Sequence, residues 1–124
     1  MNIVDSCGWL EFFGDGSGAE FYAPALEQVE LLIVPTVCLY EVFRVVMRQR
    51  GEDAAIEAVA TMRQGMVAEL DDSTALTAAR LGHTLKLPMA DSIILATAQI
   101  HEAAIWTQDS HFAGLKGVNY REAG

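Results

Sequence analysis

Short apolar runs alternate along the chain with longer stretches in which apolar residues recur every three or four positions. Met1 to Val4, Leu31-Leu32-Ile33-Val34, Met66 to Leu70 and Ala103-Ala104-Ile105-Trp106 are too short for helices and predict strands, and Val118-Asn119-Tyr120 predicts a short fifth. The second run is apolar throughout, as expected of a strand covered on both faces. Between them, Trp9, Leu10, Phe12 and Phe13 predict a short amphipathic helix stopped by Gly14-Asp15-Gly16. A second helix is expected over about 17–29, interrupted or bent at Pro24. Helical spacing resumes over 36–49 with Gly51 as its stop, and over 52–64 ending at Gly65. It returns over 73–85, behind the cap candidates Asp71, Asp72, Ser73 and Thr74, and over 88–102, opened by Pro88.

Strands alternating with helices predict a three-layer α/β sandwich around a mainly parallel sheet. The 124 residues fit one domain, with no repeat, linker or low-complexity segment. In sheets of this kind sites form at the carboxyl ends of strands, near a point where the strand order reverses.

Composition adds limits. With 52% hydrophobic and 20% charged residues, the chain builds a packed core. No apolar run approaches the ~20 residues that span a bilayer, and the N-terminus has no basic segment leading into a long apolar one. The expectation is a soluble cytoplasmic protein with no membrane partner. Cys7 and Cys38 lie in apolar surroundings without metal-ligand spacing and are read as reduced. The net charge of −9 opposes nucleic-acid binding, since phosphate contacts normally come from Lys and Arg. That objection weakens if several of the acids hold cations, which invert the local field; an acidic surface also suits a basic protein partner.

Four acids then stand out. Asp5 directly follows the first strand and Asp109 the fourth, so both belong at carboxyl strand ends. Glu41 lies in the second turn of the helix after the second strand, and Asp91 in the first turn of the helix opened by Pro88. Each has an ordinary explanation: Asp5 as a helix cap, Asp91 as a complement to a helix dipole, Asp109 as a turn residue. Glu41 sits among Val37, Leu39, Val42, Val45 and Val46, where a carboxylate is costly unless paired or coordinated. Arg44 and Arg48 could neutralise it from the same helix face. Taken together, converging carboxylates repel one another and call for hard divalent cations, which can activate water and offset charge at a phosphate.

The segments Ile3-Val4-Asp5-Ser6, Val34-Pro35-Thr36 with Glu41, Leu87-Pro88-Met89-Ala90-Asp91-Ser92-Ile93-Ile94-Leu95-Ala96-Thr97-Ala98, and Trp106-Thr107-Gln108-Asp109-Ser110-His111-Phe112 occur in that order. From Ile3 to about Tyr120, the chain resembles the PIN-domain nucleases, and the last two motifs resemble the VapC toxins of bacterial toxin–antitoxin pairs. The resemblance implies a Rossmann-like PIN fold and cleavage of RNA dependent on Mg²⁺ or Mn²⁺. It makes Asp5, Glu41, Asp91 and Asp109 the metal-binding carboxylates, and gives Ser6 and Thr107 supporting roles through hydrogen bonds. It further implies a homodimer and a cognate VapB-like antitoxin. One departure stands out: many relatives carry a further aspartate where this chain has His111.

Arg44 and Arg48, with Arg50, either form the solvated basic end of a helix or contact the RNA backbone; Lys86 and Lys116 are secondary candidates. His83 and His101 suit helix C-termini. Trp9, Phe12 and Phe13 have core spacing. Two rival functions remain. An aspartyl phosphotransferase would use Asp5 as nucleophile, but usually needs a second aspartate where Cys7 stands. A non-catalytic PIN-like module would bind antitoxin or RNA without cutting.

Overall fold

A computed structural model describes all 124 residues. Five strands form one sheet: β1 (Asn2–Val4), β2 (Leu32–Pro35), β3 (Met66–Ala68), β4 (Ala104–Thr107) and β5 (Val118–Tyr120). Six helices connect or cover them: α1 (Ser6–Phe13), α2 (Ala19–Glu27), α3 (Thr36–Arg50), α4 (Glu52–Met62), α5 (Asp72–Leu85) and α6 (Met89–His101). The strand order is β3-β2-β1-β4-β5 and every pairing is parallel. The expected α/β sandwich is thus present, with a sheet that is parallel throughout.

The three central strands carry the core. Ile3, Val4, Ile33, Val34 and Ile105 are essentially inaccessible to solvent. All of β2 is buried, as its unbroken apolar run requires. Removing each such side chain from water contributes about 1.5–3 kcal/mol. The edge strands β3 and β5 have three residues each, which leaves little open edge for another chain to pair with.

The order reverses beside β1: β2 and β3 extend the sheet to one side, β4 and β5 to the other. β1 and β4 pair in the register Val4↔Trp106, and the Asp5 amide donates to the Trp106 carbonyl at 3.0 Å. Asp5 and Thr107 therefore emerge side by side from adjacent strands, at the point where parallel sheets form clefts.

Local chemistry explains the helix ends. Asp71 caps α5 through the Thr74 amide and hydroxyl, both at 2.8 Å. Gly51 takes φ 94° between α3 and α4, a conformation that favours glycine. α2 runs uninterrupted through Pro24, against the break expected there. The ring removes only the bond that would reach the carbonyl of Glu20, and both residues are exposed, so water replaces it. Gly8 in α1 allows the buried Tyr22 ring to rest on the helix; a Cβ there would lie 2.5 Å from Tyr22 Cε1 and 2.6 Å from Val4 Cγ1. Of the three aromatics of α1, Trp9 is buried and Phe13 half-buried, while Phe12 is largely exposed, which departs from the core placement its spacing predicts.

Candidate active site

Asp5 both ends β1 and caps α1. Its backbone is extended, and its Oδ1 accepts the Ser6 amide at 2.7 Å. The cap occupies one oxygen only. Oδ2 turns toward β4, where it accepts the Thr107 hydroxyl at 2.8 Å and the Cys7 thiol at 3.5 Å. The Thr107 oxygen in turn accepts the Asp109 amide at 2.9 Å. A single buried hydroxyl thus ties the acid after β1 to the acid after β4.

Glu41 projects from the second turn of α3, where its Oε1 accepts the Ser6 hydroxyl at 2.6 Å. Ser6 thereby links α1 to α3, next to Asp5. The alternative pairing of Glu41 with Arg44 or Arg48 does not occur: Arg44 donates to the exposed Tyr40 hydroxyl at 3.3 Å, and Arg48 is exposed. Burial of the helix's other faces leaves the arginines pointing to solvent. Asp91 is the third residue of α6 and is buried, within an eight-residue stretch, Asp91 to Ala98, that is buried without a break.

His111 completes the group. It lies in a single 3₁₀ turn, Ser110–Phe112, that Asp109 caps by accepting the His111 amide at 2.9 Å. Its Nδ1 stands 2.8 Å from Asp91 Oδ2 and 3.1 Å from Asp109 Oδ1. These are the only ion pairs of the chain, so no Lys or Arg offsets any of the four carboxylates.

The electrostatics follow from that placement. Burial pushes the Asp5 carboxyl up, against the Thr107 and Ser6 hydrogen bonds that favour its charge, and Asp109 adds to the rise. Glu41 is raised by burial and by the charges of Asp5 and Asp109, with Ser6 opposing. Asp91 is pushed up to about 6 by burial, then by Asp109 and Asp5, with His111 as the counterweight. Asp109 and Asp91 hold the His111 imidazole above its ordinary value. The four acids therefore form one interacting set, offset by His111 alone and by no Lys or Arg.

Such a donor set fits a hard divalent cation: carboxylate oxygens from four segments, oriented by Ser6, Thr107 and backbone amides, with their mutual repulsion relieved only in part, by His111. Asp91, Asp109 and His111 each offer a ligand atom, all within 4.8 Å of one another.

With that geometry in hand, comparison with known families is decisive for the fold. The PIN-domain family model matches residues 3–118. The chain belongs to the PIN-domain family. A PIN fold also appears in similar solved structures. A toxin–antitoxin complex from Klebsiella pneumoniae contains a chain 23% identical, with a TM-score of 0.80 over 96% of both chains. VapC20 of Mycobacterium tuberculosis, a sarcin–ricin-loop-cleaving toxin, is 17% identical with a TM-score of 0.73 over 92% of this chain and 95% of that one. VapBC2 from Rickettsia felis, bound to a DNA fragment from its promoter, is 9% identical with a TM-score of 0.74 over 97% and 96%. Comparison with curated proteins finds no match. As a PIN domain, the chain has no helix long and apolar enough to cross a membrane.

Two residues near the acids escape a motif reading. Cys7 also approaches Thr107 Oγ1 at 3.6 Å and the Tyr22 hydroxyl at 3.9 Å, and burial with the Asp5 charge pushes its thiol up to about 11. Cys38, fully buried, is raised by burial and by the charge of Asp5. Both remain thiols, as expected. Their signal in the chain was position: Cys7 follows Ser6, and Cys38 stands one helical turn before Glu41.

Proposed function

We propose that this PIN domain is a metal-dependent endoribonuclease and the toxin of a VapBC-like toxin–antitoxin pair. The observation that carries the reading is the meeting of Asp5, Glu41, Asp91 and Asp109 at the switch point of the sheet without a Lys or Arg partner. Only cations satisfy such a cluster, and a Mg²⁺ or Mn²⁺ bound there supplies water activation and charge stabilisation at a scissile phosphate. The protein's own part is orientation. Thr107 fixes Asp5 Oδ2 and the Asp109 backbone, Ser6 fixes Glu41, and the Ser6 amide fixes Asp5 Oδ1.

Water attacking phosphorus opposite the leaving 3′ oxygen leaves a 5′-phosphate and a 3′-hydroxyl. A route through the substrate's own 2′-hydroxyl leaves a cyclic phosphate instead. The chain's acidity is consistent with the first route, because cations held by the cluster, rather than a basic surface, face the phosphate. The exposure of Arg44 and Arg48, on the helix that carries Glu41, supports a contact with the flanking backbone of the RNA.

The partner reading rests on relatives solved as toxin–antitoxin complexes. A groove of about 440 Å³ opens beside Cys7 and Gln108 and continues between α1 and α3 past Leu10, Phe13 and Val46. Its mixed lining, apolar at Leu10, Phe13 and Val46 and polar at Glu11, Arg50 and Gln108, suits a peptide segment of an antitoxin reaching toward the acids from Cys7, the neighbour of Asp5. A homodimer is proposed on the resemblance alone.

The test is induced expression in bacteria of the wild type and of Asp5→Ala, Glu41→Ala and Asp91→Ala, with growth scored and RNA 5′ ends mapped. Growth arrest with discrete new 5′-phosphate ends, lost in each variant, is expected. Cyclic-phosphate ends would overturn the mechanism. Identical growth and RNA ends for all four proteins at matched soluble levels would favour a PIN module that binds without cutting.

A further inference from the structure

The backbone of His111 is held on both sides. The Asp109 carboxylate accepts its amide at 2.9 Å, and the next residue, Phe112, is fully buried. The turn sets the imidazole beside the acids, with about half of the side chain still exposed to solvent. Nδ1 faces two oxygens of different elements at once, 2.8 Å from Asp91 Oδ2 and 3.1 Å from Asp109 Oδ1. An octahedral ion with ligand bonds of about 2.1 Å keeps adjacent ligands about 3.0 Å apart. The nitrogen thus stands from each oxygen at the spacing of neighbouring corners around a cation, and the three atoms lie within 4.8 Å of one another.

We propose that His111 is itself a metal ligand through Nδ1, and that it turns the centre into a mixed nitrogen–oxygen site that takes a first-row transition ion such as Mn²⁺ in preference to Mg²⁺. The inference deepens the nuclease reading and rests on it. Imidazole suits the first-row transition ions, Mn²⁺ least among them because it too takes oxygen ligands readily, whereas Mg²⁺ favours oxygen alone and keeps much of its water. Replacing a carboxylate by a neutral ring also removes one negative charge from a crowded cluster. That weakens the attraction for any dication while preserving a directed bond that only the softer ions use well. Half of the His111 side chain remains exposed, so Nε2 reaches solvent and leaves Nδ1 as the nitrogen facing the acids.

The competing role is that of a place-holder, a ring that neutralises Asp91 and Asp109 and swings away when a cation arrives. The two roles separate by spectroscopy on the full chain loaded with Mn²⁺. Pulsed electron paramagnetic resonance of the wild type should show a nitrogen coupled to the bound Mn²⁺, and His111→Ala should lack it. In calorimetric titrations with Mn²⁺ and Mg²⁺, His111→Ala should weaken Mn²⁺ at least about tenfold while changing Mg²⁺ far less. An all-oxygen Mn²⁺ spectrum in the wild type would overturn the proposal, as would tighter binding of both ions by His111→Ala. If Asp91→Asn abolishes Mn²⁺ binding in those same cases, the carboxylate centre stands and only the role of His111 falls. Undiminished Mn²⁺ binding by Asp91→Asn would overturn the metal-centre reading itself.

Discussion

Replacing Asp91 by asparagine should destroy activity and stabilise the metal-free protein. Asp91 is pushed from 3.8 to about 6 by burial and by the charges of Asp109 and Asp5. Because the folded-state value lies above the unfolded one, the folded chain binds the proton more tightly. This carboxyl's contribution is therefore complete below pH 3.8 and is lost as the pH climbs through 6. At about 1.4 kcal/mol for each unit of displacement, the limit is about 3 kcal/mol, and solvent screening at the cleft mouth brings it to about 1–2 kcal/mol. Asparagine keeps the shape and can still offer an oxygen to His111, but carries no charge. In a chain of this size the gain corresponds to a rise in Tm of roughly 3–8 °C. The assay is thermal unfolding of both proteins in EDTA at pH 7.5 and pH 5. Asp91→Asn should melt higher at pH 7.5 and keep only about half of that advantage at pH 5, which lies between the unfolded value of 3.8 and the folded value of about 6. Saturating Mn²⁺ should then lift the wild type, by about 2.7 kcal/mol at a hundredfold excess over Kd, and leave the variant unmoved. A lower Tm for the variant at pH 7.5, or an equal gain at both pH values, would refute the view that repulsion in the cluster destabilises the apo fold.

Other predictions follow the same contacts. Thr107→Val removes the hydroxyl shared by Asp5 and Asp109 and leaves the Asp109 amide unpaired, so stability should fall by about 1–3 kcal/mol and metal affinity by about 10–100-fold; denaturant unfolding and Mn²⁺ titration would report both, and unchanged affinity would argue against the link. Ser6→Ala frees Glu41 and should cost RNA cleavage about tenfold or more with secondary structure intact, a result that a rate equal to wild type would contradict. Gly8→Ala places a methyl against the fixed Tyr22 ring and should cost about 1–3 kcal/mol, read as a lower urea midpoint with unchanged slope; wild-type stability would show that α1 shifts freely.

What could be read from the chain alone divides along physical lines. Strands and helices follow from local apolar periodicity, so β2 and α3 appear within a residue or two of their expected limits. Pro24 misled because a missing backbone bond matters little where water can replace it. The order β3-β2-β1-β4-β5 is a long-range property that no local window contains. The acids were legible because Asp5 and Asp109 follow strands, Asp91 opens a helix and Glu41 interrupts an apolar stretch, and the resemblance to PIN nucleases named them as a set. Their hydrogen-bond partners were less so. That Glu41 is held by Ser6 rather than by Arg44 depends on how α1 meets α3. That His111 turns inward depends on the single turn anchored by Phe112, which a one-residue departure in the motif cannot convey.

The contact between Asp5 and Thr107 joins residues about a hundred positions apart through the pairing of β1 with β4. A loop of that length closes late and at a considerable entropic cost. A polypeptide not yet extended to β4 holds Asp5, Glu41 and even Asp91, but no assembled centre. On the nuclease reading proposed above, activity then arises only once β4 has docked, which would give an antitoxin made alongside it time to arrive first.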